Sequence, residues 1–337
     1  MKKIFFVFLI IIIFIGGYFL VVNKKLFVKN QPLQTVSLKL KWLHQAQFAG
    51  NYVATEKGFY RDEGLKVVIL PFSFEDPTID AVIKGKADFG ITGADELVLA
   101  RAKGIPIKAI AVIYKINPVV AYSLKDSGIT KPQDFIGKTI GIERASDGTD
   151  INVGILYYAM MSKLAINRKK INEITIGYDA KELLSGKTNV STGYIINEPQ
   201  EVMEKQGKVN MILMADYGVN MYADVLFATD ETIRSKPELV EKFLKATLRG
   251  WQYTIENEEE AVNLTMRYVS GGSKNHQSYM LKKSIPLIFT GDSKLGWMEK
   301  KQWEQVLDIL SEQKILSKQI PIDDAYTMQF LKKIYNQ

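Results

Sequence analysis

Acidic side chains stand at the ends of several short apolar runs in this chain, where they can hold an amine or a cation. Asp95 and Glu96 follow Phe89–Thr92, Glu143 closes the run from Thr139, and Asn197-Glu198 follows Thr192–Ile196. A carboxylate accepts hydrogen bonds from an exocyclic amine and pairs with a cationic group. Trp42 follows the run Ser37–Leu40. Its indole offers a flat apolar face on which an aromatic ring can stack, though such a ring can also simply pack a core. Phe72 and Phe74, in the segment 71–77, are open to the same two readings. Bulky residues there also keep backbone N–H groups away from an anion.

Alternatives remain open at most of these positions. Thr92-Gly-Ala-Asp95 reads equally as a helix cap, since an acid at a helix start is favoured by the dipole. Ser146, with Gly148 and Thr149, offers hydroxyl and N–H groups to an anion, or Ser146 merely caps a helix. Pro199 suits a first helical turn, which makes Glu198 a cap residue and turns Asn197 and Tyr194 toward a ligand. Tyr222 and Asp224 complete the candidate ring.

Other chemistries are poorly supported. The two histidines, His44 and His276, lie far apart in sequence, whereas a metal centre needs several nitrogen or sulfur ligands. No metal is therefore expected. His44 reads as a polar pocket residue or a solvated loop residue. Cysteine is absent, which removes disulfides, thiolate chemistry and a lipoprotein anchor. No P-loop, dinucleotide fingerprint or nucleophile triad stands out, so neither a cofactor nor catalysis is expected.

The elements that must position these residues follow from apolar periodicity. Short strand-like runs begin at Ser37, Val67, Phe89, Ile107, Thr139, Ile174, Thr192 and Met211, with helix-length amphipathic segments between them. This is the pattern of an α/β protein with largely parallel sheet. In such sheets ligands bind at the carboxyl ends of strands, where the acids and Trp42 sit. After about residue 229 the chain turns helical, beginning with Pro237 in a first turn.

Three stretches carry a family resemblance. They are Leu40–Tyr60 with the following Gly64-Leu, the run Gly-Lys-Ala-Asp-Phe-Gly (85–90) closed by Ala-Lys-Gly-Ile-Pro (102–106), and Asn197-Glu198-Pro199. The chain resembles periplasmic-type substrate-binding proteins of ABC transporters, in the group that binds thiamine pyrimidine precursors, with sulfonate and nitrate binders as relatives. The resemblance spans roughly 36–335. It implies a periplasmic-binding-protein-like fold of two lobes around a cleft, joined by two crossovers near 119–123 and 222–229. Lobe 1 would comprise 36–123 and 225–337, and lobe 2 would comprise 124–224. It implies capture of a small molecule, most simply a nitrogen heterocycle such as a thiamine pyrimidine precursor, by a monomer that delivers it to an ABC permease. The binding residues expected are Trp42, His44, Phe74, Asp95, Glu96, Glu143, Ser146, Asn197, Glu198 and Tyr222. Two other readings are a membrane-tethered sensor acting through a separate partner and a binder of a sulfonate-like anion. Fungal relatives that synthesise the pyrimidine carry a histidine about where this chain has Glu96, and a cysteine-rich motif that it lacks.

Composition and the first residues set the compartment. The chain has 337 residues and a net charge of +7, with its lysines scattered. Solvated surface lysines explain that charge better than a nucleic-acid patch. Residues 4–22 form an apolar run about as long as the ~20 residues a spanning helix needs, with no small-x-small cleavage site. The segment 1–22 reads as an uncleaved anchor in preference to a cleaved signal, with 23–35 as a linker. Lys24, Lys25 and Lys29 beyond the run would by charge alone place the body inside the cell. The resemblance implies the opposite, an extracytoplasmic body anchored to the membrane or secreted.

Overall fold

A computed structural model of the chain describes residues 32–144, 152–291 and 293–336. The apolar run 4–22 and Ser146 lie outside the described residues. Among the described residues no helix is long and apolar enough to cross a membrane.

Among the described residues ten strands form two five-stranded sheets. The first holds β1 (Gln34–Lys39), β2 (Leu65–Leu70), β3 (Phe89–Thr92), β4 (Ile107–Tyr114) and β10 (Ala223–Thr229), in the order β2-β1-β3-β10-β4. The second holds β5 (Val119–Leu124), β6 (Thr139–Glu143), β7 (Asn172–Ile176), β8 (Val190–Tyr194) and β9 (Val209–Leu213), in the order β7-β6-β8-β5-β9. Each sheet is mixed. In the first, β2 and β3 flank β1 in parallel, while β10 runs antiparallel to β3 and β4. In the second, β6 is parallel to β7 and β8, and β5 is antiparallel to β8 and β9. The antiparallel strand of each sheet is the one that has just arrived from the other.

This topology corrects the expected crossovers. Residues 119–123 are not a connection but strand β5, and 222–229 are largely strand β10. Both runs are apolar and β-branched, which suits a buried strand better than a linker. The chain crosses immediately before each, at 115–118 and 214–222. Two asparagines tie the crossings together. Asn220 Oδ1 accepts the Asn117 N–H at 2.8 Å, and Asn220 Nδ2 donates to the Lys115 carbonyl at 2.9 Å.

The helical C-terminal third covers the first sheet. Helix Pro237–Glu256 opens with Pro237 and buries Leu239, Val240, Phe243, Leu244 and Trp251. Phe243 stacks on Phe89 at 4.0 Å between ring centroids. The same helix crosses helix Ala49–Glu56 at two glycines. A Cβ on Gly250 would fall 2.1 Å from the Gly50 carbonyl oxygen, and one on Gly50 would meet the Trp251 ring. The free edge of β4 is covered by bridges from Ala109 to Tyr326 and from Val112 to Gly296, so that edge does not offer unpaired backbone groups to another chain.

Candidate functional site

The carboxyl ends of β1, β3, β6 and β8 face one another across the gap between the sheets. There they enclose a cavity of about 270 Å³. The first sheet contributes Lys41, Trp42, Gln45, Gln47, Phe72, Phe74, Gly93, Asp95 and Glu96 to its lining. The second contributes Glu143, Asn152, Val153, Tyr178, Tyr194, Ile196, Asn197 and Glu198.

One wall is aromatic. Phe72 N–H donates to the Trp42 carbonyl at 3.1 Å, fixing the loop after β2 beside the loop after β1. Trp42 then stacks on Phe72 with centroids 6.1 Å apart, and Phe72 meets Phe74 edge to face at 5.1 Å. Tyr178 reaches across from the second sheet to within 5.1 Å of the Trp42 ring. Phe74 is 66% exposed, so it is a rim residue rather than one packed inward.

The opposite wall is acidic. Helix Ala94–Ala102 begins at Gly93, and its cap is made by Glu96, not by Asp95 as Thr92-Gly-Ala-Asp95 had suggested. Glu96 Oε2 accepts the Gly93 N–H at 3.1 Å and the Thr92 hydroxyl. Asp95 is thereby released from capping. It is 1% exposed, and its Oδ1 has no hydrogen-bond partner. Burial, reinforced by the Glu96 charge and opposed by Lys41, pushes its pKa up to about 6. Gly93 leaves room for it, since a Cβ there would lie 2.2 Å from Asp95 Oδ1.

From the second sheet, Asn152 stands opposite Asp95 and draws on its carboxyl. Asn152 Nδ2 is buried and likewise lacks a partner. The cavity thus holds a buried carboxyl and a buried amide that approach each other across the cleft, neither atom in a hydrogen bond of full geometry. Glu143 is buried, and burial together with the neighbouring Glu198 raises its pKa well above the carboxylate range. Glu198 is also raised by burial, although the Tyr194 N–H donates to its Oε2 at 2.7 Å and Asn197 Nδ2 donates to its Oε1 at 2.5 Å. The helix here starts at Glu198 with Pro199 second, so the cap position belongs to Asn197 and not to Glu198.

At the floor, Lys41 Nζ lies 3.4 Å from Asp224 Oδ1, and Gln47 Nε2 donates to both oxygens of Asp224 at 2.9 Å. Burial works against the Lys41 charge, but Tyr194, Asp224, Glu96 and Asp95 around it keep it protonated.

Two expected site residues are elsewhere. His44 does not line the cavity: its Nδ1 is 3.0 Å from the Tyr52 hydroxyl, and its ring lies beside Tyr268. The loop after β1 bends throughout residues 41–45, and His44 faces Tyr52 and Tyr268 rather than the cavity. Tyr222 is 4% exposed, packs edge to face on Trp303, and accepts the Glu299 N–H at 2.8 Å, so it belongs to the core. Lys41, Asn152 and Tyr178 are pocket residues that sequence reasoning missed. Lys41 carried a usable signal, a lysine between Leu40 and Trp42 at a strand end. Tyr178 carried none, because its place depends on how the two sheets meet. Among the described residues no cluster of acids and histidines could hold a metal ion.

The sequence profile of the NMT1/THI5 like family matches residues 45–261. A riboflavin-binding protein, RibY, of Chloroflexus aurantiacus is 28% identical over 89% of this chain and 87% of its own length. A formylaminopyrimidine-binding protein of Halalkalibacterium halodurans is 23% identical over 88% of this chain and 91% of its own. A 4-amino-5-hydroxymethyl-2-methylpyrimidine phosphate synthase of Legionella pneumophila is 26% identical over 88% and 92%. In fold the chain matches the periplasmic aliphatic sulphonate binding protein SsuA of Escherichia coli, with a TM-score of 0.68 at 15% identity, covering 86% of this chain and 91% of that one. The chain belongs to the NMT1/THI5-like family, and its two-sheet α/β architecture is that of the periplasmic binding proteins.

Proposed function

We propose that this chain is the extracytoplasmic solute-binding component of an ABC importer, and that its cleft takes a flat, amine-bearing nitrogen heterocycle such as a thiamine pyrimidine precursor. One observation carries this reading. Asp95 and Asn152, a buried carboxyl and a buried amide that approach each other across the cleft, stand in the same cavity as the Trp42 wall. An aminopyrimidine presents the complement, an N–H donor beside a ring-nitrogen acceptor on a flat ring, and buried polar groups reward a ligand that satisfies them.

The electrostatics favour this class over anions. Asp95, Glu96, Glu143 and Glu198 line the cavity, while Lys41, the one lysine among the described lining residues, is committed to Asp224. A sulfonate would meet those acids with no uncommitted cation among the described lining residues to offset them. The chain reads as a binder and not a synthase. Among the described residues lining the cavity there is neither histidine nor cysteine, and Glu96 is engaged in a helix cap.

A fused-ring ligand of the flavin type is the second reading. It is favoured by the length of the aromatic wall, which runs from Tyr178 through Trp42 and Phe72 to Phe74 at the rim. The apolar run 4–22 would tether the protein beside its permease.

Titration calorimetry with 4-amino-5-hydroxymethyl-2-methylpyrimidine, its formylamino analogue, riboflavin, an alkylsulfonate and nitrate decides between these readings. Binding of the pyrimidines supports the proposal, and binding of riboflavin alone selects the fused-ring ligand. Binding of the sulfonate alone overturns the reading of the acidic wall. Co-purification of a permease, and not of a signalling kinase, supports the transport role.

A further inference from the structure

Helix Lys274–Ile288 belongs to the C-terminal layer over the first sheet, yet its first turns touch both sides of the cleft. On the side of the first sheet, buried Gln277 accepts the Ala46 N–H at 2.7 Å, between the pocket residues Gln45 and Gln47. On the far side, His276 Nε2 is 2.9 Å from Asn197 Oδ1, and the Tyr279 hydroxyl donates to the Ile195 carbonyl at 3.0 Å. Residues 195–197 follow β8 of the second sheet and run directly into Glu198.

The direction of the His276 contact follows from its neighbours. Asn197 Nδ2 is committed to Glu198 Oε1 at 2.5 Å, so Oδ1 is the acceptor and His276 Nε2–H the donor. A chain of donors therefore runs from the helix of one lobe, through Asn197, to a carboxylate lining the cavity in the other. His276 and Tyr279 are three residues apart and share a helix face, so one rigid element makes both contacts. Gly271 and Gly272, with φ of +85° and +83°, form the turn that delivers the helix.

We infer that His276 and Tyr279 are a closure latch, which holds the second lobe against the first and sets the orientation of Glu198 in the pocket. They are positioning residues and do not touch the ligand. The latch acts only at contacts present when the lobes are together, so loss of His276 and Tyr279 opens the cleft without removing a cavity-lining group, whereas Asn197 both takes part in the latch and lines the cavity. This inference uses the cleft proposed above, but its test needs no ligand.

The chain lacks cysteine, so Glu75→Cys on the first-lobe rim and Lys181→Cys on the second take spin labels at those two sites alone. Distance distributions from pulsed electron resonance are then recorded on the ligand-free protein. His276→Ala should shift the distribution to longer distance, and the double variant His276→Ala, Tyr279→Phe should shift it further. Asn197→Ala should do the same from the opposite lobe. His276→Gln, which keeps an N–H donor, should restore most of the parent distribution. Thermal unfolding of each variant identifies any that fail to fold, and Asn197→Ala carries the test if the helix variants do. Distributions that match the parent in every folded variant would overturn the latch. A shift in His276→Gln as large as that in the alanine variant would also overturn it, by showing that the bond is not what matters.

Discussion

Lys41 Nζ sits 3.4 Å from Asp224 Oδ1 at the floor of the cleft, and Asp224 holds this place with a φ of +51°. That backbone conformation is uncommon for a residue with a side chain. It occurs at the second residue of β10, immediately after the chain returns from the second lobe. The pair joins the loop after β1 to the end of a crossover, and Tyr194 of the second lobe lies within 3.5 Å of the same ammonium. Lys41→Met should destabilise the protein by about 3–5 kcal/mol, because it leaves a buried carboxylate without its partner. Adding Asp224→Asn should recover much of the loss. Urea unfolding of the two single variants and the double gives the coupling directly. Additive losses would show that the pair is not the source.

Gly250→Ala should destabilise by about 1–3 kcal/mol, the range for forcing extra volume into a packed core. The new methyl would fall 2.1 Å from the Gly50 carbonyl oxygen and drive helix Pro237–Glu256 off helix Ala49–Glu56. The contact lies behind the site, so ligand affinity of the folded fraction should be unchanged. Denaturation midpoint and calorimetric affinity, measured on one preparation, separate the two effects. A midpoint equal to the parent's would mean that the helices can move apart freely.

How much of this was legible in the sequence depends on the range of the interaction. Strands β2, β3, β4 and β6 were visible because apolar runs are a local signal. β5 and β10 read from sequence as crossovers, because the long-range antiparallel pairing that makes them strands leaves no local signal. Trp42, Phe74, Asp95, Glu96, Glu143, Asn197 and Glu198 line the cavity because strand ends converge there by topology. His44 and Tyr222 were misplaced because a single turn, or a single rotamer, decides which way a loop residue faces. The assignment of the helix cap to Glu96 instead of Asp95 is a one-residue matter that spacing does not resolve. The Lys41–Asp224 pair spans residues far apart in sequence and could not be read before the fold was known.

Trp42→Ala should weaken an aromatic ligand at least about tenfold, since about 1.4 kcal/mol is a decade of affinity and a ring contact is worth about 0.5–1.5 kcal/mol beyond its buried area. Trp42→Phe should lose less. Tyr178→Ala should fall between them, because Tyr178 meets the indole at a tilt of 54° from the other lobe. Intrinsic fluorescence gives a second readout, since a ligand stacked on Trp42 should quench it in the parent and not in Trp42→Phe. Equal affinities across the series would make the aromatic wall a packing feature.

Asp95→Asn should move stability and binding in opposite directions. Burial, with Glu96 beside it, raises the Asp95 pKa from 3.8 to about 6. The folded state therefore holds this proton more tightly than the unfolded chain does. Below about pH 4 the group is protonated in both states and contributes no penalty. As pH rises through the window from 3.8 to about 6, the folded protein must accept a buried charge, and stability falls; above that window the penalty is complete. An amide carries no such charge. The ligand-free variant should thus match the parent near pH 4 and exceed it above pH 6, by on the order of 1–3 kcal/mol. Binding should respond the other way. The ionised carboxylate is the stronger acceptor for an amine, so parent affinity for 4-amino-5-hydroxymethyl-2-methylpyrimidine should rise as pH passes through about 6, and the variant should bind weakly without that step. Unfolding and calorimetry at pH 4.5, 6 and 7.5 test both halves. A variant less stable than the parent at pH 7.5 would mean that Asp95 has a structural partner, and would remove it from the ligand site.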